Sequence, residues 1–262
     1  MVKEIQIIVI VLLFIGCKSN SPAPKVVETK DSSFDYKQQT ENLEKGIYFR
    51  GSGTEPDWSL KISEKTIEFT SLKPDFEALQ SGHVEPIRAM DANVKMYRVE
   101  TKVGKMIIQI MQQDCVNAMS GDKSAYSVRI EFQKDNKTIN FSGCGNYITD
   151  YRLHDIWVFE KLNGENVSIT DFTKEVPNLE INSTTNTFMG FAGCNRMNGT
   201  IFSERELLRF TNVVTTRMAC GENNKENEFL KNLQSTTTYK VENLRLTLTN
   251  PAGNELVFRK VD

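Results

Sequence analysis

The sequence has 262 residues, of which 39% are hydrophobic and 25% charged, with a formal net charge of −2 at pH 7. This composition is ordinary for a globular protein. Domains usually contain about 100–200 residues, so the length predicts two compact units. Nucleic acid is not an expected partner, because neutralising phosphates requires clustered Lys and Arg and the sequence contains no basic stripe.

The N-terminus has the pattern of a secretory signal. Lys3 precedes an apolar run over residues 5–15, shorter than the roughly 20 residues of a membrane span but typical of a signal-peptide core. Gly16 and Cys17 follow. A small residue directly before a cysteine resembles the lipobox of bacterial lipoproteins. The resemblance implies cleavage before Cys17 and a lipid such as palmitate on its thiol. The alternative is an ordinary secretory signal with an incidental cysteine.

The segment after the signal, residues 17–45, is rich in Ser, Pro, Lys and Glu and has no sustained apolar period. Such a segment offers too little apolar surface to offset the entropy lost on ordering. We therefore predict a lipidated N-terminus and a flexible tether over these residues. Lys18 and Ser19 follow the lipidated cysteine without an Asp. By resemblance to lipoprotein sorting rules, this favours the outer membrane.

Residues 46–150 contain short segments that alternate apolar and polar side chains, which is typical of antiparallel strands with one buried face. The segments are 58–62, 66–70, 96–100, 106–110, 126–132 and 138–141. Gly51, Ser52 and Gly53 are interpreted as a turn. This unit is predicted to be a small antiparallel β domain.

Residues 151–262 predict a second antiparallel β domain with one helix. The expected strand pairs are 179–181 with 187–191, 200–202 with 207–210, and 244–248 with 256–258. The helix is predicted over 224–233, with Phe229, Leu230 and Leu233 on its apolar side. The whole chain is thus expected to be mainly β (a β-rich α+β protein), with a domain boundary between Tyr147 and His154.

The second unit resembles the META domain, the family of the heat-shock protein HslJ. Its segments that carry the likeness are Trp157 with 162–164, 193–199, 208–210, 216–220 and 246–248. The resemblance implies a small β-rich fold with one helix in a cell-envelope protein, and a link to envelope stress or drug tolerance. The family has no established catalytic residues to transfer.

The first unit resembles a family of uncharacterised lipoprotein domains that often accompanies META. The segments that carry this likeness are 53–60, 115–122 and 141–145. The resemblance implies the same cellular setting for both units.

The five cysteines support the lipid interpretation. Lipidation of Cys17 leaves an even set of four. Four cysteines allow three connectivities, and two separate domains favour the pairs Cys115–Cys144 and Cys194–Cys220. In an oxidising envelope, disulfides explain the four cysteines more simply than a metal site does, because a metal site would need closely spaced Cys or His ligands.

Enzyme motifs are missing from the sequence. A Ser–His–Asp or Cys–His site would have to use His83 or His154, the only two histidines, which stand in no recognisable motif and are expected on the surface or in loops. No Gly-rich phosphate loop follows a strand, so no cofactor is expected. Asn195 is interpreted as fixing a turn beside a disulfide. Trp58 and Trp157 are interpreted as core anchors.

The sequence therefore predicts a non-enzymatic lipoprotein of the cell envelope, a binding or structural module held at a membrane by lipid on Cys17. Its partner would be an envelope protein or polymer. The alternative is an envelope hydrolase with a carboxylate site that motifs do not reveal. Candidates for that site are the acids of the first unit's signature segments, Glu55, Asp57, Asp114 and Asp122.

Overall fold

Residues 32–221 and 224–261 are described in the computed structural model of the protein, with side chains from residue 36 onward. The predicted signal peptide (1–16), the lipidation site Cys17 and the first part of the predicted tether lie outside the described residues. Within the described ranges, no helix is long and apolar enough to cross a membrane.

The described chain is mainly β, as the sequence predicts, and forms two antiparallel sheets. The helices are α1 (Ser32–Glu44) and α2 (Glu226–Gln234), with short 3-10 turns at Tyr151–Leu153 and Ile169–Asp171. The strands of the first sheet are β1 (Ile47–Thr54), β2 (Asp57–Ser63), β3 (Thr66–Ser71), β4 (Ala78–Gly82), β5 (Ile87–Arg88), β6 (Val94–Glu100), β7 (Lys105–Val116), β8 (Lys123–Lys134) and β9 (Lys137–Tyr147). Those of the second are β10 (Asp155–Leu162), β11 (Glu165–Asn166), β12 (Asn178–Asn182), β13 (Thr187–Phe191), β14 (Arg196–Glu204), β15 (Leu207–Thr215), β16 (Thr238–Glu242), β17 (Arg245–Thr249) and β18 (Glu255–Lys260).

The first sheet has the strand order β4-β3-β2-β1-β9-β8-β7-β6-β5. Its two edge strands are consecutive in the chain and are joined by residues 83–86. In a flat sheet these edges would lie about 38 Å apart, whereas four linking residues reach at most about 18 Å. The sheet must therefore curl until β4 and β5 approach each other. The inward side chains of its strands fill the interior, including Trp58, Phe69 and Phe132.

The second sheet closes on itself, because β18 pairs with both β17 and β10. Trp157, Phe159 and Phe258 fill its interior. Helix α2 packs Phe229 and Leu233 into the same core. The predicted helix and the three predicted strand pairs are all present.

Two sequence interpretations are wrong. Gly51, Ser52 and Gly53 lie within strand β1 rather than in a turn. Their glycines allow close approach: a Cβ atom on Gly53 would lie 2.3 Å from the Trp58 indole nitrogen and 2.4 Å from the Ser142 carbonyl oxygen. The small residues therefore make room for the buried Trp58 side chain. Glycines in a sequence suggest a turn and do not reveal such a packing role.

The second correction concerns the predicted tether, because residues 32–44 form helix α1. The side chain of Gln39 in this helix is buried, and its Nε2 donates to the Ser183 carbonyl oxygen at 3.0 Å. The Ser183 hydroxyl donates back to Gln39 Oε1, also at 3.0 Å. Tyr36 lies edge-on to Tyr151, with ring centroids 6.0 Å apart. Polar tertiary contacts thus order a segment whose apolar content is low.

Candidate functional site

The turn between β14 and β15 reaches from the second sheet to the first. Glu204 ends β14, Leu207 begins β15, and these two residues pair across a two-residue turn. Arg205 in the turn adopts a φ of 56°, in the left-handed region that few residues other than glycine occupy. The neighbouring Phe202 packs against the core of the first sheet. This hairpin is therefore the element by which the second sheet contacts the interior of the first.

The carboxylate of Glu204 accepts hydrogen bonds from three side chains of the first unit. Lys95 Nζ donates to its Oε2 at 2.7 Å. Asn93 Nδ2 donates to its Oε1 at 2.6 Å, and the Tyr126 hydroxyl makes a short hydrogen bond to the same oxygen. The side chains of Lys95 and Glu204 are only 10% and 11% exposed, so this ion pair is largely shielded from water.

Lys95 is buried because of its position in the strand. The inward-facing residues of β6 are Lys95, Tyr97 and Val99, so the pleat places an ammonium group where a core residue normally stands. Its Nζ lies 5.1 Å from the centre of the Tyr147 ring, within range of a cation–π contact. A buried cation is costly unless it is paired, and Glu204 supplies the counter-charge.

A cluster of tyrosines surrounds this ion pair. The Tyr48 hydroxyl lies 2.9 Å from His83 Nε2 and 3.4 Å from the Tyr97 hydroxyl, and the Arg205 guanidinium lies 4.8 Å from the Tyr48 ring centre. Burial raises the pKa of each phenol in the cluster. The four tyrosines so affected are Tyr48, Tyr97, Tyr126 and Tyr147. At neutral pH they are therefore neutral hydrogen-bonding groups.

A cleft of about 510 Å³ opens beside the ion pair, between strands of both sheets. Its lining residues are Arg88, Ala89, Ala92, Asn93, Val94, Lys95, Gln112, Phe202, Glu204, Leu207, Arg209 and Thr211. A smaller cavity of about 230 Å³ shares Arg88, Lys95, Glu204 and Leu207 with it. The volume of the larger cleft falls in the range typical of small-molecule sites, which is about 300–1,000 Å³.

A second polar centre lies inside the second sheet unit. Asn195 is buried, and its Oδ1 accepts hydrogen bonds from the Thr216 hydroxyl at 2.9 Å and from Met218 N at 2.7 Å. Its Nδ2 donates to Glu226 Oε2 at 3.2 Å. Asn195 therefore fixes the segment that carries Cys220, and this geometry agrees with the predicted turn-fixing role.

The disulfides of the structure join Cys115 to Cys144 and Cys194 to Cys220, with Cα atoms 5.5 and 6.0 Å apart. Ligand atoms of Cys194, Cys220 and Glu226 lie within 4.8 Å of one another. In the disulfide, however, neither sulfur is a thiolate, which is the form that binds metals. Cys194 and Cys220 therefore form a structural disulfide, and the neighbouring Glu226 carboxylate accepts a hydrogen bond from Asn195.

The predicted candidate acids do not lie in the cleft. Glu55, Asp57, Asp114 and Asp122 are all exposed, and none lines any of the described cavities. The shielded carboxylates are instead those of Glu204, which no sequence motif marks, and of residues such as Asp150 and Glu226.

The two histidines and two tryptophans occupy different environments. His154 is exposed, and its Nδ1 accepts from Ser183 N at 3.3 Å. His83 lies in the loop after β4, but its side chain is only 12% exposed. Trp58 and Trp157 are buried in the two cores, as predicted.

A signal for the ion pair exists in the sequence. Lys95 shares the alternation of Tyr97 and Val99, so it is a charged residue in phase with a buried face. Its partner Glu204 lies more than a hundred residues away, next to a turn, where an acid is ordinarily solvated. Only the position of the second sheet identifies the pair.

The second half of the described chain is a small, closed antiparallel sheet with one helix packed into its core and a disulfide beside a buried Asn. Residues 153–262 match the family model of the META domain, so the chain contains a META domain in this region. The recognition made from the sequence is thereby confirmed for the second unit, whereas the resemblance of the first unit stays a prediction. No curated protein is significantly similar to the chain.

Three solved structures are similar to part of the chain. A protein from Burkholderia xenovorans, solved by NMR, is 22% identical over 41% of this chain and 82% of its own, with a TM-score of 0.34. A second NMR structure is 23% identical over 41% of this chain and 90% of its own, also with a TM-score of 0.34. A crystal structure of a DUF4847 family protein from Bacteroides vulgatus is 15% identical over 42% of this chain and 96% of its own, with a TM-score of 0.30.

Proposed function

We propose that the protein is a non-enzymatic lipoprotein of the bacterial cell envelope, anchored by lipid on Cys17, that binds an envelope component through the cleft between its two sheets. The lipobox-like Gly16–Cys17 and the META domain support the envelope setting. Two disulfides suit an oxidising compartment. The outer membrane is the proposed location, and a role in envelope stress or drug tolerance follows from the resemblance to the HslJ family.

The observation that carries the binding role is the state of Glu204. A general base or nucleophile must be within hydrogen-bond reach of the substrate, whereas the Glu204 side chain is only 11% exposed. Both oxygens of Glu204 already accept hydrogen bonds, from Lys95, Asn93 and Tyr126. The carboxylate thus joins the two sheets in the lining of the cleft, and a lining held in place by such contacts is suited to binding.

The envelope setting is tested with the full-length protein in a bacterial host. The wild-type chain is expected to take up labelled palmitate and to enter the outer-membrane fraction, whereas Cys17→Ser loses both properties. Retention of the label on another residue would contradict the anchor. Crosslinking in intact cells, followed by identification of the captured neighbours, would name the partner.

The non-enzymatic role is tested on the purified soluble chain from residue 18. We expect no turnover in a broad hydrolase and glycosidase screen. Activity that persists through purification and disappears in Glu204→Gln, or on changing Glu55, Asp57, Asp114 or Asp122, would favour the hydrolase instead. The exposed Glu206, two residues after Glu204, is the matched control position.

A further inference from the structure

Two arginines line the larger cleft. Arg88 comes from the edge strand β5 of the first sheet and Arg209 from β15 of the second. Both are exposed, and among the described residues neither guanidinium makes an ion pair or a side-chain hydrogen bond. The two cations therefore approach one cavity from opposite sheets.

The charge of the cleft cannot be balanced by its own acid. The charged lining residues are Arg88, Lys95 and Arg209 against Glu204, so the cleft carries a positive excess of two although the whole chain is formally −2. Glu204 is engaged by the ammonium of Lys95 at 2.7 Å, and its other oxygen by neutral donors. The positive excess is thus located on the arginines.

One wall of the cleft is apolar. Phe202 and Leu207 flank the hairpin turn, and Val94 of β6 also lines the cleft. All three are only partly buried, so they keep apolar surface that a ligand could cover. Hydrogen bonds link the polar lining residues, since Asn93 Nδ2 donates both to Gln112 Oε1 at 2.9 Å and to Glu204 Oε1 at 2.6 Å.

We propose that this cleft binds a small organic anion, with a phosphate or carboxylate group on Arg88 and Arg209 and an apolar body against Phe202 and Leu207. Guanidinium groups form charge-assisted, often bidentate hydrogen bonds with both types of anion. The proposal rests on the binding role proposed above and gives it a ligand class. Phosphate could come from a lipid headgroup or from free phosphate, and the two sources differ in the apolar body.

The test is isothermal titration of the soluble chain from residue 18 with four probes: hexyl phosphate, hexanoate, inorganic phosphate and hexanol. Hexyl phosphate or hexanoate is expected to bind, and Arg88→Gln and Arg209→Gln are each expected to weaken binding by about tenfold or more. The controls are Arg98→Gln on β6 and Arg259→Gln on β18, which are exposed arginines outside the cleft and should leave affinity unchanged.

The other outcomes separate the parts of the proposal. Inorganic phosphate that binds as tightly as hexyl phosphate would overturn the apolar contact, and hexanol that binds equally well would overturn the anion site. Binding of no probe at millimolar concentration, or binding that Arg88→Gln and Arg209→Gln leave intact, would overturn the whole proposal. Because these titrations use protein without lipid and record no turnover, their failure is distinguishable from a wrong location or a hidden enzymatic activity.

Discussion

The two sheets differ in how they are completed. The second closes by a hydrogen-bonded pairing of β10 with β18, whereas the first ends in the separate edges β4 and β5. The buried polar groups follow the same division. Asn195 and Glu226 of the second sheet unit bond to each other, within one domain. Lys95 of the first sheet is paired with Glu204 of the second.

This difference indicates that the stability of the first unit depends on the second unit more than the reverse. Lys95 lies on the inward face of the first sheet, and among the described residues its ion-pair partner is Glu204 of the second sheet. A buried charge without its partner is strongly destabilising. The second sheet would expose Glu204 to water on separation, which costs far less. Independent folding of residues 46–150 and 151–262 stays a prediction, and on this account the first unit is the less stable of the two when alone.

The largest expected effect comes from Glu204→Ala, which leaves Lys95 buried and unpaired. We expect a loss of about 3–5 kcal/mol in the free energy of unfolding. The loss should be concentrated in the first sheet, where Lys95 lies. Denaturant unfolding can be followed separately in each unit, because each contains one tryptophan: the variant Trp157→Phe reports on Trp58, and Trp58→Phe reports on Trp157.

The control for this prediction is Glu206→Ala, which removes an exposed acid from the same turn and should change stability by less than about 0.5 kcal/mol. Replacing both partners with apolar residues, Lys95→Met with Glu204→Leu, should recover most of the lost stability. An equal loss at both tryptophans would contradict the asymmetry.

The disulfides provide the next comparison. They close loops of similar length, 29 and 26 residues, so the chain-entropy model gives about 3.5 kcal/mol for each. Each pair has one buried and one partly exposed cysteine, but Cys220 Sγ also accepts a hydrogen bond from Asn195 Nδ2 at 3.3 Å. Replacing Cys194 and Cys220 by Ala should therefore cost more than replacing Cys115 and Cys144, because it also disturbs the packing around Asn195. Thermal unfolding of the two double variants measures the difference; a greater loss for the Cys115–Cys144 pair would oppose this account.

Alkaline pH should affect the first sheet more than the second. Burial raises the pKa of four tyrosines in the first sheet, Tyr48, Tyr97, Tyr126 and Tyr147, and of Tyr239 in the second. The folded state keeps these phenols protonated at a pH where the unfolded chain ionises them, above about 10. Their contribution to stability is therefore complete below pH 10 and is lost as the pH rises further. Unfolding at pH 9 and pH 11, followed at each tryptophan, should show the larger loss at Trp58.

The smallest expected effect concerns helix α1. Gln39→Ala removes the partner of the buried Ser183 hydroxyl and carbonyl, at a cost of about 1 kcal/mol. The exposed neighbour Gln38→Ala is the matched control. Thermal unfolding of the chain from residue 32 should show a lower midpoint for Gln39→Ala alone. Equal midpoints for the two variants would mean that the helix contributes no stability through this contact.

Local patterns in the sequence predicted most of the fold. Alternation located strands such as 126–132, and the helix around Phe229 followed from its apolar side, because both signals arise within a few residues. Helix α1 was missed because its order depends on Ser183, distant in the chain. The glycines of β1 were misread because the Trp58 indole packs against them from another strand.

The cleft was beyond prediction for a related reason. Arg88 and Arg209 look like ordinary exposed arginines at alternating strand positions, and nothing local to either residue indicates that both border one cavity. Glu204 likewise looks like a solvated acid beside a turn. The site is created by docking of the two sheets, whereas sequence motifs report on residues within one domain.

A double-mutant cycle between Lys95 and Glu204 tests the central claim most directly. The free energy of unfolding of the first sheet would be measured for wild type, Lys95→Met, Glu204→Leu and the double variant, with Trp58 as the probe. If Lys95 and Glu204 each need the other to be buried, the coupling energy should be about 2 kcal/mol or more, and each single variant should be less stable than the double variant. A coupling energy within about 0.5 kcal/mol of zero would contradict the claim that the second sheet completes the first.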